Sequence, residues 1–180
     1  PDPVRYPVPL PPAPDAGTVG DLAAALREAE RPVLMIGRAG RDEASWQSRV
    51  QLAERSGVAV LTDLRNPAVF PSGHPAHPAQ MSAGRLSTTG LQLLRSADLV
   101  LALNWTDLAG PLKAAYGDGE RPRVVNVRNV NALLNGWTKD HYAPVATDLE
   151  ITAGPDELIT ALLNELGDEE PPQRDAWPPS

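Results

Sequence analysis

The chain has no cysteine among its 180 residues, which excludes a disulfide framework, thiol chemistry and any cysteine-ligated metal centre. It has no apolar run approaching the roughly 18 residues that span a bilayer. Its first residues also lack the basic-then-apolar layout of a secretory signal. No membrane partner is therefore expected, and a cytoplasmic location is. Basic clusters are missing too: the sixteen Lys and Arg residues are scattered through a chain of net charge −7, the wrong balance for a nucleic-acid surface. No glycine-flanked serine elbow and no distinctively spaced carboxylate pair is present, so no catalytic residue is assigned. His74 and His77 are each followed by proline, which imposes extended chain, and the only other histidine is His141. A metal centre is not expected from them, and they read as surface loop residues.

What the chain has in excess is proline, and it sits at the ends. Seven of the first fourteen residues and four of the last ten are proline. Each removes a backbone donor, so Pro1–Pro14 forms neither a helix nor a central strand and is expected to run extended. The end from Gly167 onward reads as equally unsuited to packing. The expected organisation is a Pro-rich linker over 1–15, a globular body over 16–166 and a tail over 167–180, a layout that suggests a piece of something longer. A body of that size buries about 70% of its unfolded surface and needs no covalent staple.

Within the body, helix and strand patterns alternate. Thr18 and Asp21 have capping-box spacing, and Leu22, Ala25, Leu26 and Ala29 follow at helical intervals. Val33–Ile36 is a short apolar run closed by Gly37. A helix over 43–56 carries Trp46, Val50 and Ala53 on one side, with Trp46 read as core, and stops at Gly57. Val58–Leu61, Leu99–Leu103, Val124–Val127 and Leu149–Ile151 read as further strands. A helix is expected near 88–96, and Pro155 with Asp156 and Glu157 opens a last one through Leu166. The strand runs are continuously apolar rather than alternating, as in strands buried on both faces. The pattern predicts an α/β fold: a doubly wound, mainly parallel sheet of five to six strands with helices on both faces, Rossmann-like.

Ligands of such sheets bind beyond the carboxyl ends of the strands. Gly37-Arg38-Ala39-Gly40-Arg41 is one such end, a glycine-bearing turn before a helix whose N–H groups would suit a phosphate. Its glycine spacing is not the dinucleotide fingerprint, and a plain strand-to-helix turn is the alternative. Asp63, twenty-six residues past Gly37, stands near where a ribose-binding carboxylate would fall, or is a turn carboxylate. Gly84, Arg85 and Ser87 lie in a run of small and hydroxyl residues entering a helix, which suits an anion or an ordinary N-cap. Asn104 closes the Leu99–Leu103 strand. Trp105 and Trp137 are loop residues suited to covering a ligand or a neighbouring domain.

Four stretches carry a family resemblance. They are Arg31-Pro32-Val33-Leu34-Met35-Ile36-Gly37, Leu52 through Val60, Val69-Phe70-Pro71-Ser72-Gly73-His74-Pro75, and Ser96 through Leu103. In this order they resemble the central domain of thiamine-diphosphate-dependent enzymes of the acetolactate synthase, oxalyl-CoA decarboxylase and benzoylformate decarboxylase group, over about residues 18–166. The resemblance implies that chemistry lies in flanking domains, which hold thiamine diphosphate and magnesium in the parent enzyme. It implies FAD or ADP, or nothing, bound here, and a homo-oligomeric full-length protein. Gly117-Asp118-Gly119 spells the opening of that family's diphosphate–magnesium motif, but Glu120-Arg121-Pro122 comes next and no asparagine stands at the right spacing, so it is read as a chance match. The chain departs from the family at Asn104, where many relatives have glycine, and at Val127-Arg128-Asn129-Val130-Asn131 in place of an acidic strand end. The side chain at Asn104 weighs against flavin. The expected function is a non-catalytic, structural and docking domain with possible nucleotide binding through the residues above. The alternatives are a stand-alone nucleotide-binding module or a Rossmann-type oxidoreductase or deacylase.

Overall fold

A computed structural model describes residues 10–78, 81–82, 85–129, 145–174 and 177, with the side chains of Met81, Ser82 and Arg85 excepted. The readings that fell on Pro1–Pro9, Gly84, Val130, Asn131, Trp137 and His141 lie outside the described residues. The chain passes through α1 (Ala16–Glu28), β1 (Pro32–Ile36), α2 (Glu43–Ser56), β2 (Ala59–Thr62), a small antiparallel pair β3 (Met81–Ser82) and β4 (Arg85–Leu86), and α3 (Thr88–Ser96). It continues through β5 (Leu99–Leu103), α4 (Ala109–Tyr116), β6 (Arg123–Arg128), β7 (Leu149–Thr152) and α5 (Pro155–Leu166).

Five strands form one parallel sheet in the order β2-β1-β5-β6-β7. The α/β class and the parallel sheet are those the sequence predicts. Alternate residues of each strand feed opposite layers. Leu34, Ile36, Leu101 and Val125 join Leu22, Leu52, Leu158 and Leu162 beneath α1, α2 and α5. Val33, Met35, Val100 and Ala102 join Leu93, Leu94 and Leu112 beneath α3 and α4. Both faces are covered, which is why the strands read as unbroken apolar runs. The chain steps one way from β1 to β2 and the other way from β5 onward, so right-handed crossovers place α2 on one face and α3 and α4 on the other.

Side-chain caps start the first three helices. Asp15 caps α1, accepting from Thr18 N at 2.9 Å, and these bonds hold its carboxyl below the usual range. The cap is thus Asp15 and not Thr18, which is already helical. Asp42 caps α2 through Ser45 N (2.9 Å) and Ser87 caps α3 through Gly90 N (3.1 Å). The inward side of α2 also differs from the expected one. Arg49, Leu52, Ala53 and Ser56 are buried, whereas Trp46 is only half-buried. The sequence pattern does not announce α4, an eight-residue helix with Gly110 and Pro111 in its first turn and no side-chain cap. It is held from outside itself: the Tyr116 hydroxyl donates to the Leu94 carbonyl of α3, and burial pushes that phenol up to about 12. Trp105, expected over a ligand or a partner, is 5% exposed and packs in the second layer.

The segment after α5 packs where little packing was expected. Arg174 donates to the carbonyls of Leu26 (2.6 Å) and Ala29 (2.7 Å) at the end of α1, and to those of Ser56 and Gly57 at the end of α2. Trp177 donates to the Pro32 carbonyl at 3.1 Å. A guanidinium at two helix C-termini meets unsatisfied carbonyls and the negative ends of two dipoles, which offsets the lack of an apolar face.

The loop after β2 folds over Phe70. His74 meets that ring edge-on at 5.2 Å, and its Nδ1 accepts from Ala76 N. His77 is not a surface residue: it is 6% exposed, with Nε2 3.1 Å from Thr62 Oγ1. Burial pushes its imidazole below the ordinary 6.5, the nearby His74 adds to the shift, and the Ser72 backbone opposes it. A neutral His77 in the folded state against an ordinary one in the unfolded chain makes the unfolded state the better proton acceptor. The native state should therefore hold its full His77 contribution above pH 6.5 and lose it as the pH falls below that value, levelling off beneath the depressed folded value. Thermal melts from about pH 7.5 to about pH 5 should show this decline, and His77→Gln should flatten it.

Candidate functional site

The carboxyl edge of the sheet collects most of the candidate residues. At the exit of β1, Gly37 N donates to the Leu103 carbonyl (2.8 Å) and Arg38 N to the Asn104 carbonyl (3.2 Å). A Cβ at Gly37 would lie 2.3 Å from the Asn104 carbonyl oxygen and 2.8 Å from Trp105 Cα. Only glycine permits this approach. Asn104 itself has φ +48°, the left-handed region that asparagine tolerates best after glycine, and its N–H donates to the Val127 carbonyl at 2.8 Å. The departure from glycine at this position thus keeps the glycine-like backbone. The exits of β1, β5 and β6 are laced together at the crevice where strand order reverses.

Gly40 is held differently. Its N–H donates to Asp156 Oδ2 at 2.6 Å, and its carbonyl accepts from Arg49 Nη2 at 2.8 Å. Arg49 Nη1 reaches Asp156 Oδ1 at 2.6 Å, and its Nε donates to the Val69 carbonyl at 2.7 Å. One guanidinium, with no exposed side-chain surface, ties α2 to the start of α5, the turn after β1 and the loop after β2. Sequence reasoning missed both Arg49 and Asp156 as partners. The available signal was the helical set 49, 52, 53 and 56, which puts an arginine on the inward stripe beside Leu52 and Ala53.

Asp63 is 1% exposed at the exit of β2. Its N–H donates to the Ile36 carbonyl (3.1 Å), its Oδ1 accepts from Arg65 N (3.0 Å), and its Oδ2 lies 3.7 Å from Arg65 Nη1. This is the geometry of a turn carboxylate that also steadies an arginine. Ser87 serves as the cap of α3, and Arg85 lies in β4, paired with Ser82. The topology starts α3 at the same carboxyl edge, after the β2 exit loop.

The structure therefore gathers Gly37, Arg38, Gly40, Asp63 and Asn104 on one edge, but commits their backbone donors to protein: the N–H groups of Gly37, Arg38 and Gly40 all have internal acceptors. Side chains remain. Between the exits of β1 and β2 opens a polar cavity of about 400 Å³, lined by Arg38, Arg41, Arg65 and Asn66, with Pro67 and Val69 beneath. Gly117-Asp118-Gly119 lies elsewhere, in the turn that closes α4 at the amino edge. Its setting does not fit a diphosphate–magnesium centre. Among the described residues no three His, Asp or Glu side chains gather in a metal-binding group, and no helix is long and apolar enough to cross a membrane.

Residues 19–152 match the sequence profile of the thiamine pyrophosphate enzyme central domain. The chain is 30% identical over 171 residues to a sulfoacetaldehyde acetyltransferase of Rhodobacter capsulatus, a match covering 92% of this chain and 28% of that protein. Two solved structures share the fold. One is a protein assigned as a thiamin diphosphate-dependent enzyme from Mycobacterium smegmatis, with TM-score 0.63 and 19% identity over 96% of this chain and 31% of that one. The other is the benzoylformate decarboxylase of Polynucleobacter necessarius, with TM-score 0.62 and 16% identity over 93% and 31%. The chain spans less than a third of the length of these relatives.

Three substitutions test the geometry. Gly37→Ala forces apart two backbones and should cost about 3 kcal/mol or more. Asp156→Ala strands a buried guanidinium and should cost about 3–5 kcal/mol. Glu169→Ala removes only the exposed partner of Arg27 and should cost under about 1 kcal/mol. Urea midpoints with unchanged slopes give all three values.

Proposed function

Because the chain belongs to the thiamine pyrophosphate enzyme central-domain family, we propose that it is the non-catalytic middle domain of a larger enzyme acting on a 2-keto acid or similar carbonyl substrate. The observation that carries this is one of proportion: the match runs through most of this chain, yet through only 28% of the acetyltransferase. In this reading residues 1–15 and 167–180 connect to flanking domains, and thiamine diphosphate and magnesium are held by those domains. The role of this domain is structural and docking. The names of the relatives, an acetyltransferase for sulfoacetaldehyde and a decarboxylase of benzoylformate, support carbonyl chemistry in the parent enzyme.

Nucleotide binding is a second reading, supported by the place of Gly37, Arg38, Gly40, Asp63 and Asn104 at the carboxyl edge, beside the crevice where strand order reverses. With backbone donors already bonded, such a ligand would be held by side chains.

One calorimetric series tests both readings. The purified chain should give no binding heat with thiamine diphosphate and magnesium, and no turnover of pyruvate or benzoylformate; turnover would overturn the first reading. FAD, ADP and coenzyme A, titrated in turn, decide the second, which falls if none gives heat at millimolar ligand.

A further inference from the structure

We propose that the ends of α1 and α2 form a guanidinium socket, and that the segment after α5 is a releasable strap docked in it by Arg174. The ligand class is an arginine side chain on an extended segment, supplied here by the same chain. The inference concerns the amino edge of the sheet and does not rest on the reading as a middle domain.

The socket is built from carbonyls that the helices leave without donors. Glu30 N, which would close the next turn of α1 on the Leu26 carbonyl, donates instead to Asp98 Oδ2 at 2.6 Å. Val60 N, which would do the same for the Ser56 carbonyl of α2, donates to the Ala76 carbonyl at 2.6 Å. The Ala29 and Gly57 carbonyls stand at the two caps. Arg174 binds all of these: Nε to Ala29 (2.7 Å), Nη2 to Leu26 (2.6 Å), and Nη1 to Ser56 and to Gly57 (3.1 Å for Gly57). Gly57 leaves the space for it, since its φ is +57° and a Cβ there would lie 2.6 Å from Arg174 Nη1. The negative ends of two helix dipoles complement the charge, and Asp98 adds attraction from farther off. A planar fork can span both helix ends, where lysine would offer a single point charge.

The strap has little else to hold it. Among the described residues no backbone group of 168–174 bonds to the body, and Asp168–Pro171 and Gln173 are exposed. Its ion pairs, Arg27 with Glu169 at 2.9 Å and Arg55 with Asp168 at 3.2 Å, use exposed carboxylates and contribute little. Trp177 adds one bond, to the Pro32 carbonyl. Cavities of about 200 Å³, beside Ser56 and Leu166, and about 830 Å³, beside Glu28 and Arg31, open along the strap. No residue of 168–174 belongs to either core layer, so release leaves both layers intact. One guanidinium therefore separates a docked state from a released one.

Nitrogen-15 relaxation of the whole chain tests this. In the unaltered chain the amides of Asp168, Glu169, Glu170 and Gln173 should be as rigid as those of α5. In Arg174→Ala the body should keep its spectrum, while these strap amides fall to the heteronuclear NOE of a flexible chain. Glu169→Ala should leave the other strap amides rigid. A synthetic peptide of residues 168–180 should bind Arg174→Ala with a Kd of about 1 mM or tighter, read from saturable shifts of the Ala29 and Gly57 amides. The unaltered chain, whose tethered strap competes, should bind this peptide at least about tenfold more weakly. An Arg174→Lys version of the peptide should also lose at least about tenfold. The proposal is overturned if the strap stays rigid in Arg174→Ala, if it is already flexible in the unaltered chain, or if Arg174→Ala loses its folded spectrum. It is equally overturned if the peptide gives no saturable shift by about 10 mM (roughly tenfold above the expected constant), or if the lysine peptide binds as tightly as the arginine one. None of these outcomes touches the assignment to the central-domain family.

Discussion

The carboxyl edge of this domain is organised around a guanidinium buried on α2. Arg49 has no exposed side-chain surface, and an isolated charge in that position would be unstable by many kcal/mol. It persists because Asp156 and two carbonyls, of Gly40 and Val69, take its N–H groups at 2.6–2.8 Å. Each partner comes from a different part of the chain. The pair need not add stability over an apolar substitute, since desolvation offsets much of its attraction. What it adds is geometry: the first turn of α5, the turn after β1 and the loop after β2 have one arrangement in which the charge is satisfied.

That requirement shapes what the edge can bind. Asp156 reaches the Gly40 N–H, and a Cβ at Gly40 would lie 2.8 Å from its Oδ2, so the same carboxylate that neutralises Arg49 consumes a donor and crowds the space a side chain would need. Gly37 and Arg38 spend their N–H groups on the exit of β5. Gly37 therefore serves close approach of protein backbone to protein backbone. A turn that looks from its composition like a phosphate cradle is a joint between elements of the protein itself. Fold likeness alone does not reveal such a difference, because the backbone path is the same in either case.

How much of this the sequence displays depends on how local each cause is. The strands of the sheet are legible because burial on both faces writes itself as apolar runs, and α5 because Pro155, Asp156 and Glu157 are suited to a first turn. Asp98 marks a strand start for a nonlocal reason: its carboxylate accepts from Glu30 N and Arg31 N, at the entry to β1. The inward stripe of α2 is hard to assign because Trp46 and Val50 outweigh an arginine in any hydrophobic count, yet Arg49 is the buried one. Likewise α4 escapes notice because Gly110 and Pro111 break the helical pattern in its first turn, while part of its support, Tyr116 bonding to α3, is nonlocal. The candidate site is half visible. Its glycines and Asp63 stand out, but the cavity needs Arg41, Arg65 and Asn66 beside Arg38, and their meeting depends on β1 and β2 being neighbours in the sheet.

The two ends of the described chain extend the argument from the edge to the whole domain. The Pro12 carbonyl binds Gly154 N between β7 and α5, at the carboxyl edge. Arg174 and Trp177 bind the ends of α1 and α2 and the start of β1, at the amino edge. The chain thus enters beside one edge of the sheet and returns against the other. Both attachments use carbonyls or N–H groups of the domain backbone, which persist through most side-chain substitutions, so proline-rich segments with little apolar surface can still be fixed in direction. In a domain that spans under a third of its relatives' length, such fixed directions are what a structural role requires. They suit the body to act as a spacer between the flanking domains of the proposed enzyme. They also place the arginine cavity on the side from which the chain enters.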